Sequence, residues 1–136
     1  MDKVFSLHKM QGKTDDCPQR LPLVIIALAW FGGTFATAIL ALLGNWQNVA
    51  MILGSFGASC LLIFAYPESP FAQPRKIVAG HLITTFTGLS FMSLFGIARW
   101  SLALAVGTAI ALMLLLRVPH PPAVSNPLIV MLGGVK

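Results

Sequence analysis

PESPFAQPR, residues 67–75, and PHPPAVSNP, residues 119–127, interrupt a chain that otherwise consists largely of long apolar stretches. Apolar residues make up 57% of the 136 residues, and charged residues make up only 10%. A soluble domain carries roughly 25% charged residues. Because each crossing of a bilayer takes about 20 apolar residues, the chain has room for one small helical bundle. The composition therefore predicts an all-α, polytopic membrane helix bundle.

Four apolar stretches are long enough to be spanning helices. The predicted spans are residues 21–43, 49–66, 77–97 and 101–118. Asn48 is the predicted N-cap of the second span, because its side-chain oxygen can accept a free backbone N–H at a helix start. Pro67 and Pro119 are predicted to end the second and fourth spans, because proline cannot continue a helix without a break.

A short apolar segment follows the fourth span. Asn126 and Pro127 predict a helix start, since Asn is favoured at the N-cap and Pro at the first helical position. The apolar stretch after them has about nine residues, too few to cross a bilayer. We therefore expect a C-terminal half-helix, or the beginning of a span that the chain does not complete.

The basic residues predict the orientation in the membrane. Lysine and arginine precede the first span and follow the second and fourth, whereas the opposite loops carry only Arg99. Under the positive-inside rule, residues 1–20 form a cytoplasmic polar tail, and the C-terminus and the loop at 67–76 are also cytoplasmic. The tail resembles neither a cleaved signal nor a transit peptide, so we expect residues 21–136 to be a transmembrane domain of the cell inner (plasma) membrane.

Hydroxyl groups follow one face of the second span. Ser55 and Ser59 are one helical turn apart, as are the small residues Gly54 and Ala58. One interpretation is a seam where two helices pack closely. The other is a constriction in which hydroxyls, with backbone exposed at Gly57, replace part of the hydration shell of a solute.

The third span places His81, Thr84, Thr85 and Gly88 on one face. An ionisable side chain inside a membrane is unfavourable and usually marks a functional site. Alternatively, His81 only donates a hydrogen bond to a neighbouring carbonyl near the interface. Arg75 could likewise only extend its charge to lipid headgroups.

The placement of charge favours an anion as the solute. No acidic residue lies within any predicted span, whereas cation sites and proton relays usually need carboxylates. Arg75, Lys76 and Arg117 form a basic rim, and His81 and His120 lie close to it in sequence. The net charge of +5 is not arranged as a stripe with aromatic residues, so we expect no nucleic-acid partner.

Motifs of enzymes are absent from the sequence. There is no HExxH, no paired nucleophile and base, and no cofactor motif. Cys17 and Cys60 are interpreted as free thiols, because neither lies in a cluster with metal-ligand spacing. We therefore expect no catalytic site, no metal site and no cofactor.

Two long segments resemble a known family. GSFGASCLLIFAYPESPFAQPRKIVAGHL, residues 54–82, and RVPHPPAVSNPLIVMLGG, residues 117–134, are similar to the HPP family of integral membrane proteins, named for the motif at His120, Pro121 and Pro122. Plastid and cyanobacterial members are associated with nitrite transport, and other members carry an appended regulatory domain. Members usually continue into another hydrophobic segment. The resemblance implies a permease for a small anion, with nitrite as the expected substrate.

Together these observations predict a homo-oligomeric membrane channel or facilitator for a small monovalent anion. The predicted substrate-binding residues are Ser55, Gly57, Ser59, Arg75, His81, Thr84, Thr85, His120 and Asn126. His81 and His120 are expected to make the passage sensitive to pH, because histidine titrates in the working pH range. The alternative is a membrane sensor or assembly subunit that transports nothing and binds a cytoplasmic partner.

Overall fold

The computed structural model describes residues 20–47 and 54–133. Over these residues the chain is helical and contains no strand. The helices are α1 (Leu23–Gln47), α2 (Gly54–Ala65), α3 (Pro74–Phe95), α4 (Arg99–Leu115) and α5 (Asn126–Gly133), with a 3₁₀ helix (Pro121–Ser125) before α5. The predicted all-α class is confirmed. Nearly all of the predicted polar tail, and the predicted cap Asn48, lie outside the described residues.

Within residues 20–47 and 54–133, two helices are long and apolar enough to cross a bilayer. These are the segment Leu23–Leu43 within α1 and the whole of α3, with 21 and 22 residues. Helix α4 has 17 residues, and the described part of α2 has 12, both short of the about 20 needed for a crossing. The prediction of four spans therefore stays a prediction.

The five helices pack in two groups that the 3₁₀ helix connects. Helix α1 packs on α2, and α3 packs on both α4 and α5. The 3₁₀ helix contacts α2, α3, α4 and α5, so it lies at the centre of the bundle. The second proline segment, residues 119–127, therefore lies between helices that are distant from one another in sequence.

Small residues set the distance between α3 and α4. The buried face of α4 consists of Ser101, Ala105, Ala109 and Met113, each one turn after the last. Short side chains at this spacing allow two helix backbones to approach closely. Gly96 ends α3 with φ of 69° and ψ of −167°, a conformation that side chains rarely adopt, and its carbonyl accepts a hydrogen bond of 3.0 Å from Ser101 Oγ.

The end of α4 turns the chain back into the bundle. Arg117 has a left-handed conformation with φ of 57°, where glycine is usual. Its N–H donates to the carbonyl of Leu114 at 3.1 Å, and the N–H of Val118 donates to that of Met113 at 2.9 Å. These two bonds satisfy the last carbonyls of the helix and direct the buried Val118 inward. The arginine side chain remains exposed.

Two glycines of α3 hold the returning segment. A Cβ atom at Gly80 would lie 2.8 Å from Cβ of His120, and one at Gly88 would lie 2.7 Å from Cα of Pro127. Carbon atoms in real structures do not approach this closely, so only glycine allows the contact. Helix α3 therefore positions both ends of the 3₁₀ helix through its backbone.

Replacing Gly88 with alanine should destabilise the protein. The neighbour is the backbone of Pro127, which cannot move aside as a side chain can, and overpacking costs about 1–3 kcal/mol. Gly107→Ala is the matched control, because nothing lies within 4 Å of its Cβ position on α4. Alanine in place of glycine stabilises a helix by about 1 kcal/mol. Thermal unfolding in detergent should show a lower midpoint for Gly88→Ala only. Equal midpoints for the two variants would contradict the close contact.

Candidate functional site

Helix α2 directs two hydroxyl groups into the bundle. Ser55 and Ser59 are buried, whereas Gly54 and Ala58 on the neighbouring face are exposed. Ser59 Oγ lies 3.1 Å from the carbonyl oxygen of Ser55, one turn earlier in the helix. Ser55 and Ser59 therefore face the interior of the bundle. Gly54 and Ala58 form no packing seam with another helix among the described residues.

Two histidines converge on the hydroxyl of Ser59. Its Oγ lies 2.9 Å from Nε2 of His120 and 3.2 Å from Nε2 of His81. The ring centroids of the histidines are 5.2 Å apart. His81 lies in the second turn of α3, and His120 immediately precedes the 3₁₀ helix. The serine thus bridges side chains separated from it by 22 and 61 residues.

His120 is fully buried and bound at both ring nitrogens. Its Nδ1 lies 2.9 Å from the carbonyl oxygen of Phe71, in the first proline segment. A carbonyl oxygen can only accept, so Nδ1 carries a hydrogen and donates it. In the neutral ring Nε2 is then the acceptor, and it accepts from the hydroxyl of Ser59. His120 therefore links the two proline segments through α2.

Asn126 crosses from α5 to α3. Its Nδ2 lies 2.8 Å from Nδ1 of His81, 3.1 Å from Oγ1 of Thr84 and 3.2 Å from Oγ1 of Thr85. The predicted helix start is confirmed, but Asn126 is itself helical (φ −58°, ψ −41°) and is the first residue of α5 rather than the N-cap before it. Asn126 Oδ1 is buried and accepts no hydrogen bond from the described residues. The amide instead forms tertiary hydrogen bonds to α3, because α3 offers several acceptors within reach.

The partners fix the orientation of the Asn126 amide. The carbonyl of His81, 3.4 Å from Nδ2, can only accept. The hydroxyl of Thr84 donates to the carbonyl of Gly80 at 2.8 Å, so its oxygen is free to accept from the amide. The carbonyl of His81 and the hydroxyl oxygen of Thr84 both need a donor, so the amide nitrogen of Asn126, and not its oxygen, faces α3. His81 Nδ1 consequently accepts, and its ring hydrogen is on Nε2.

These assignments produce one directed chain of hydrogen bonds. Asn126 donates to His81, His81 donates to Ser59, Ser59 donates to His120, and His120 donates to the carbonyl of Phe71. We call these five groups the histidine chain. Each of the four ring nitrogens has a partner of the complementary kind. The chain is therefore fully paired when both histidines are neutral.

The structure brings most of the predicted binding residues together. Those at the histidine chain or in direct contact with it are Ser55, Ser59, His81, Thr84, Thr85, His120 and Asn126. Ser55 contributes its backbone carbonyl, and its own buried Oγ has no partner among the described residues.

Two predicted binding residues lie elsewhere. Gly57 is exposed and borders a groove of about 660 Å³ between α1 and α2, together with Gly33 and Cys60. It faces away from the histidine chain because it is half a turn from Ser59 on the helix. Arg75 is exposed in the first turn of α3 and forms no hydrogen bond with the histidine chain in the described part of the structure. A role of these two residues in binding stays a prediction.

Sequence reasoning missed two contributors. One is the carbonyl of Phe71, which accepts the hydrogen bond of His120. The identity of residue 71 does not indicate this role, because the carbonyl belongs to the backbone and every residue has one. The other is Gly80, whose missing side chain makes room for His120. A glycine directly before an intramembrane histidine was the available signal for it.

The site is polar but contains no acidic group. Glu68 is the only acidic residue of the chain beyond residue 16, and it is exposed. Within residues 20–47 and 54–133, no three His, Cys, Asp or Glu side chains form a group that could hold a metal ion. The site is therefore uncharged while both histidines are neutral, and its imidazoles are groups that can hold a proton.

Replacing Ser59 with alanine should destabilise the fold. The hydroxyl serves both histidines, so its loss leaves two ring nitrogens without a partner, and a buried unpaired polar group costs about 1–3 kcal/mol. Ser93→Ala is the matched control, because Ser93 is exposed and bonds only to the carbonyl of Ser90. We expect a lower unfolding midpoint for Ser59→Ala alone. A midpoint equal to that of the control would show that the bridge contributes nothing to stability.

The sequence is similar to that of known membrane proteins. Two curated transmembrane proteins of Dictyostelium discoideum are 34% identical over 125 residues and 31% identical over 116 residues. The matches cover 86% and 79% of this chain but only 40% and 41% of those proteins, so the chain spans well under half of their length. No solved structure shows significant similarity. The family described as "HPP, transmembrane region" matches residues 18–136, and the chain therefore belongs to the HPP family of transmembrane proteins.

Proposed function

We propose that this protein is the membrane part of a permease for a small monovalent anion, and that nitrite is the substrate. The observation that supports the proposal is the histidine chain itself, a buried set of polar groups among apolar helices. Burying such groups is unfavourable compared with apolar packing, and polar groups inside membrane helices usually serve a solute.

The electrostatics favour an anion over a cation. The described helices carry no carboxylate, whereas Arg75 and Lys76 begin α3 and Arg117 follows α4. Arg75 is six residues before His81, about 9 Å along the helix axis. The three basic residues thus lie at the same end of the bundle as the histidine chain, since Val118 packs beside Gly80. Positive charge at a mouth raises the local concentration of anions and repels cations.

The chemistry of the site suits nitrite. Nitrite is small, planar and singly charged, and it needs only a few hydrogen-bond donors. Hydroxyls such as those of Ser55 and Thr85 provide neutral donors, and a neutral site releases its solute more readily than a fixed buried charge does. The association of plastid and cyanobacterial members of the HPP family with nitrite transport supports the same substrate.

We further propose that the protein works as a homo-oligomer in the plasma membrane with both termini in the cytoplasm. Gly54, Gly57 and Ala58 leave small residues exposed on α2, where a second copy could pack closely. The excess of basic residues before α1 and between α2 and α3 supports the orientation.

Nitrite uptake into liposomes that contain only this protein tests the proposal. We expect uptake above that of protein-free liposomes, and a decrease of about fivefold or more for His81→Ala and His120→Ala, since leaving a buried polar group unpaired costs about 1–3 kcal/mol. Ser93→Ala should behave as the unchanged protein. No uptake by folded protein would favour the sensor or assembly subunit instead. Unchanged uptake by both histidine variants would refute the assigned site.

The basic rim should affect access of the anion rather than its binding. Arg75→Gln should slow nitrite uptake most at low ionic strength, because salt screens the attraction between an exposed charge and the anion. Uptake by the variant and the unchanged protein should converge as salt is raised toward about 1 M, where the screening length is about 3 Å. Equal slowing at every salt concentration would instead indicate that Arg75 supports the fold.

A further inference from the structure

We propose that His120 and Ser59 form a proton-binding site with a capacity of one proton, and that each anion crosses together with that proton. The coupling rests on the proposed function, whereas the proton site stands on the geometry of the histidine chain alone. The site would make the permease an electroneutral symporter of a monovalent anion and a proton.

The neutral histidine chain has no ring N–H to offer an anion. The Nε2–H of His81 is donated to Ser59, and the Nδ1–H of His120 is donated to the carbonyl of Phe71. An anion at this chain would therefore meet imidazoles that carry no charge and have no free donor. Adding a proton is the direct way to give this part of the site a positive charge.

Ser59 allows His120 to accept a proton without losing a hydrogen bond. In the neutral chain the serine hydroxyl donates to Nε2 of His120. When that nitrogen is protonated, the hydroxyl can rotate its hydrogen to the carbonyl of Ser55, which lies 3.1 Å away. Ser59 Oγ then accepts from both histidines at once, and a hydroxyl oxygen has two lone pairs for this purpose. A small rotation thus converts one fully paired state into another.

His81 has no comparable arrangement. Its free acceptor is Nδ1, which faces the amide nitrogen of Asn126 at 2.8 Å. Protonating Nδ1 would set two donors against each other. Turning the amide over would place Oδ1 against the carbonyl of His81, where two acceptors would face each other. The added proton is therefore assigned to His120.

The surroundings limit the pair to one proton. The two rings are 5.2 Å apart, so a second positive charge would be repelled by the first. No described carboxylate faces either ring, because Glu68 in the loop before α3 is exposed.

The other titratable and basic groups near the pair do not bond to the rings. On α2 the buried thiol of Cys60 follows Ser59, and on α3 the ammonium of Lys76 donates to the carbonyl of Pro70 at 2.7 Å. Tyr66, in the loop after α2, and Arg117, after α4, are exposed, as is Arg75. Helix α5 and the 3₁₀ helix contribute no titratable side chain.

A buried imidazolium without a counter-charge is unfavourable, so the proton and the anion stabilise each other. On one side, a proton from water forms the Nε2–H bond of His120, and the anion pairs with the resulting cation. On the other side, the N–H bond breaks, the proton returns to water, and the anion leaves. The net charge moved is zero. The coupling is reciprocal, so the anion also favours protonation of the site.

Nitrogen NMR of the histidine rings tests the proton site without any anion. The protein in lipid nanodiscs, with His8→Gln to remove the third histidine signal of the sequence, should show Nδ1–H on His120 and Nε2–H on His81 at about pH 8. As the pH is lowered, imidazolium should appear at His120 while His81 stays neutral. Imidazolium at His81 first, or at both rings, would overturn the assignment.

Transport under a set membrane potential tests the coupling. With the protein in liposomes and protein-free uptake subtracted, nitrite flux should carry one proton per anion, followed by an internal pH dye, and should not respond to a potassium diffusion potential. Flux that follows the potential as a single negative charge would overturn the coupling while leaving the permease intact. The reverse result, a proton on His120 without any flux, would support the proton site and refute the permease.

Ser59→Ala separates the roles of the two residues. It retains both imidazoles but removes the acceptor that the protonated His120 needs, so the ratio of protons to anions should fall below that of the unchanged protein. Ser59→Thr keeps a hydroxyl and should restore the ratio. The NMR measurement on the unchanged protein decides the proton site if neither variant folds. A ratio unaffected by Ser59→Ala would refute the role of the serine.

Discussion

The fold depends on burying a stretch of broken backbone against α3. Residues 116–127 contain four prolines and lack a continuous helix, so their polar backbone groups are not all paired locally. Within a membrane, such a segment is stable only where protein covers it or water reaches it. Gly80 and Gly88 allow α3 to approach it at its two ends, at distances that no side chain would permit.

That close packing also determines where the polar side chains lie. His120 sits at the contact with Gly80, and Asn126 precedes the contact at Gly88. Both side chains therefore point toward α3 and α2 rather than toward lipid. The carbonyl of Phe71 then receives His120, so the first proline segment is joined to the second. One set of hydrogen bonds consequently holds α2, α3 and both proline segments together.

Stability and the proposed transport draw on the same groups in this arrangement. Ser59 has two possible acceptors for its single hydrogen, the carbonyl of Ser55 and Nε2 of His120, and in the proposed proton site the choice between them depends on the charge of His120. A network with two fully paired states is rigid in each of them and can still change between them. Natural functional sites often retain polar groups in this way at some expense of stability.

The sequence by itself determined the properties that depend on neighbouring residues. Composition indicates the membrane class, proline positions mark the ends of α2 and the start of α5, and helical spacing places His81, Thr84 and Thr85 on one side of α3. Ser55 and Ser59 were likewise assigned to one face of α2. These features follow from local geometry, which repeats every 3.6 residues whatever the remainder of the chain does.

Only the tertiary structure decided which of these faces meet. It set Asn126 against His81 rather than on its own helix end, joined Ser59 to a histidine 61 residues away, and left Gly57 and Arg75 outside the site. The carbonyl of Phe71 could not be identified in advance, because every residue has one. Such contacts depend on how closely whole helices approach, and that distance results from packing summed over the bundle rather than from any local pattern.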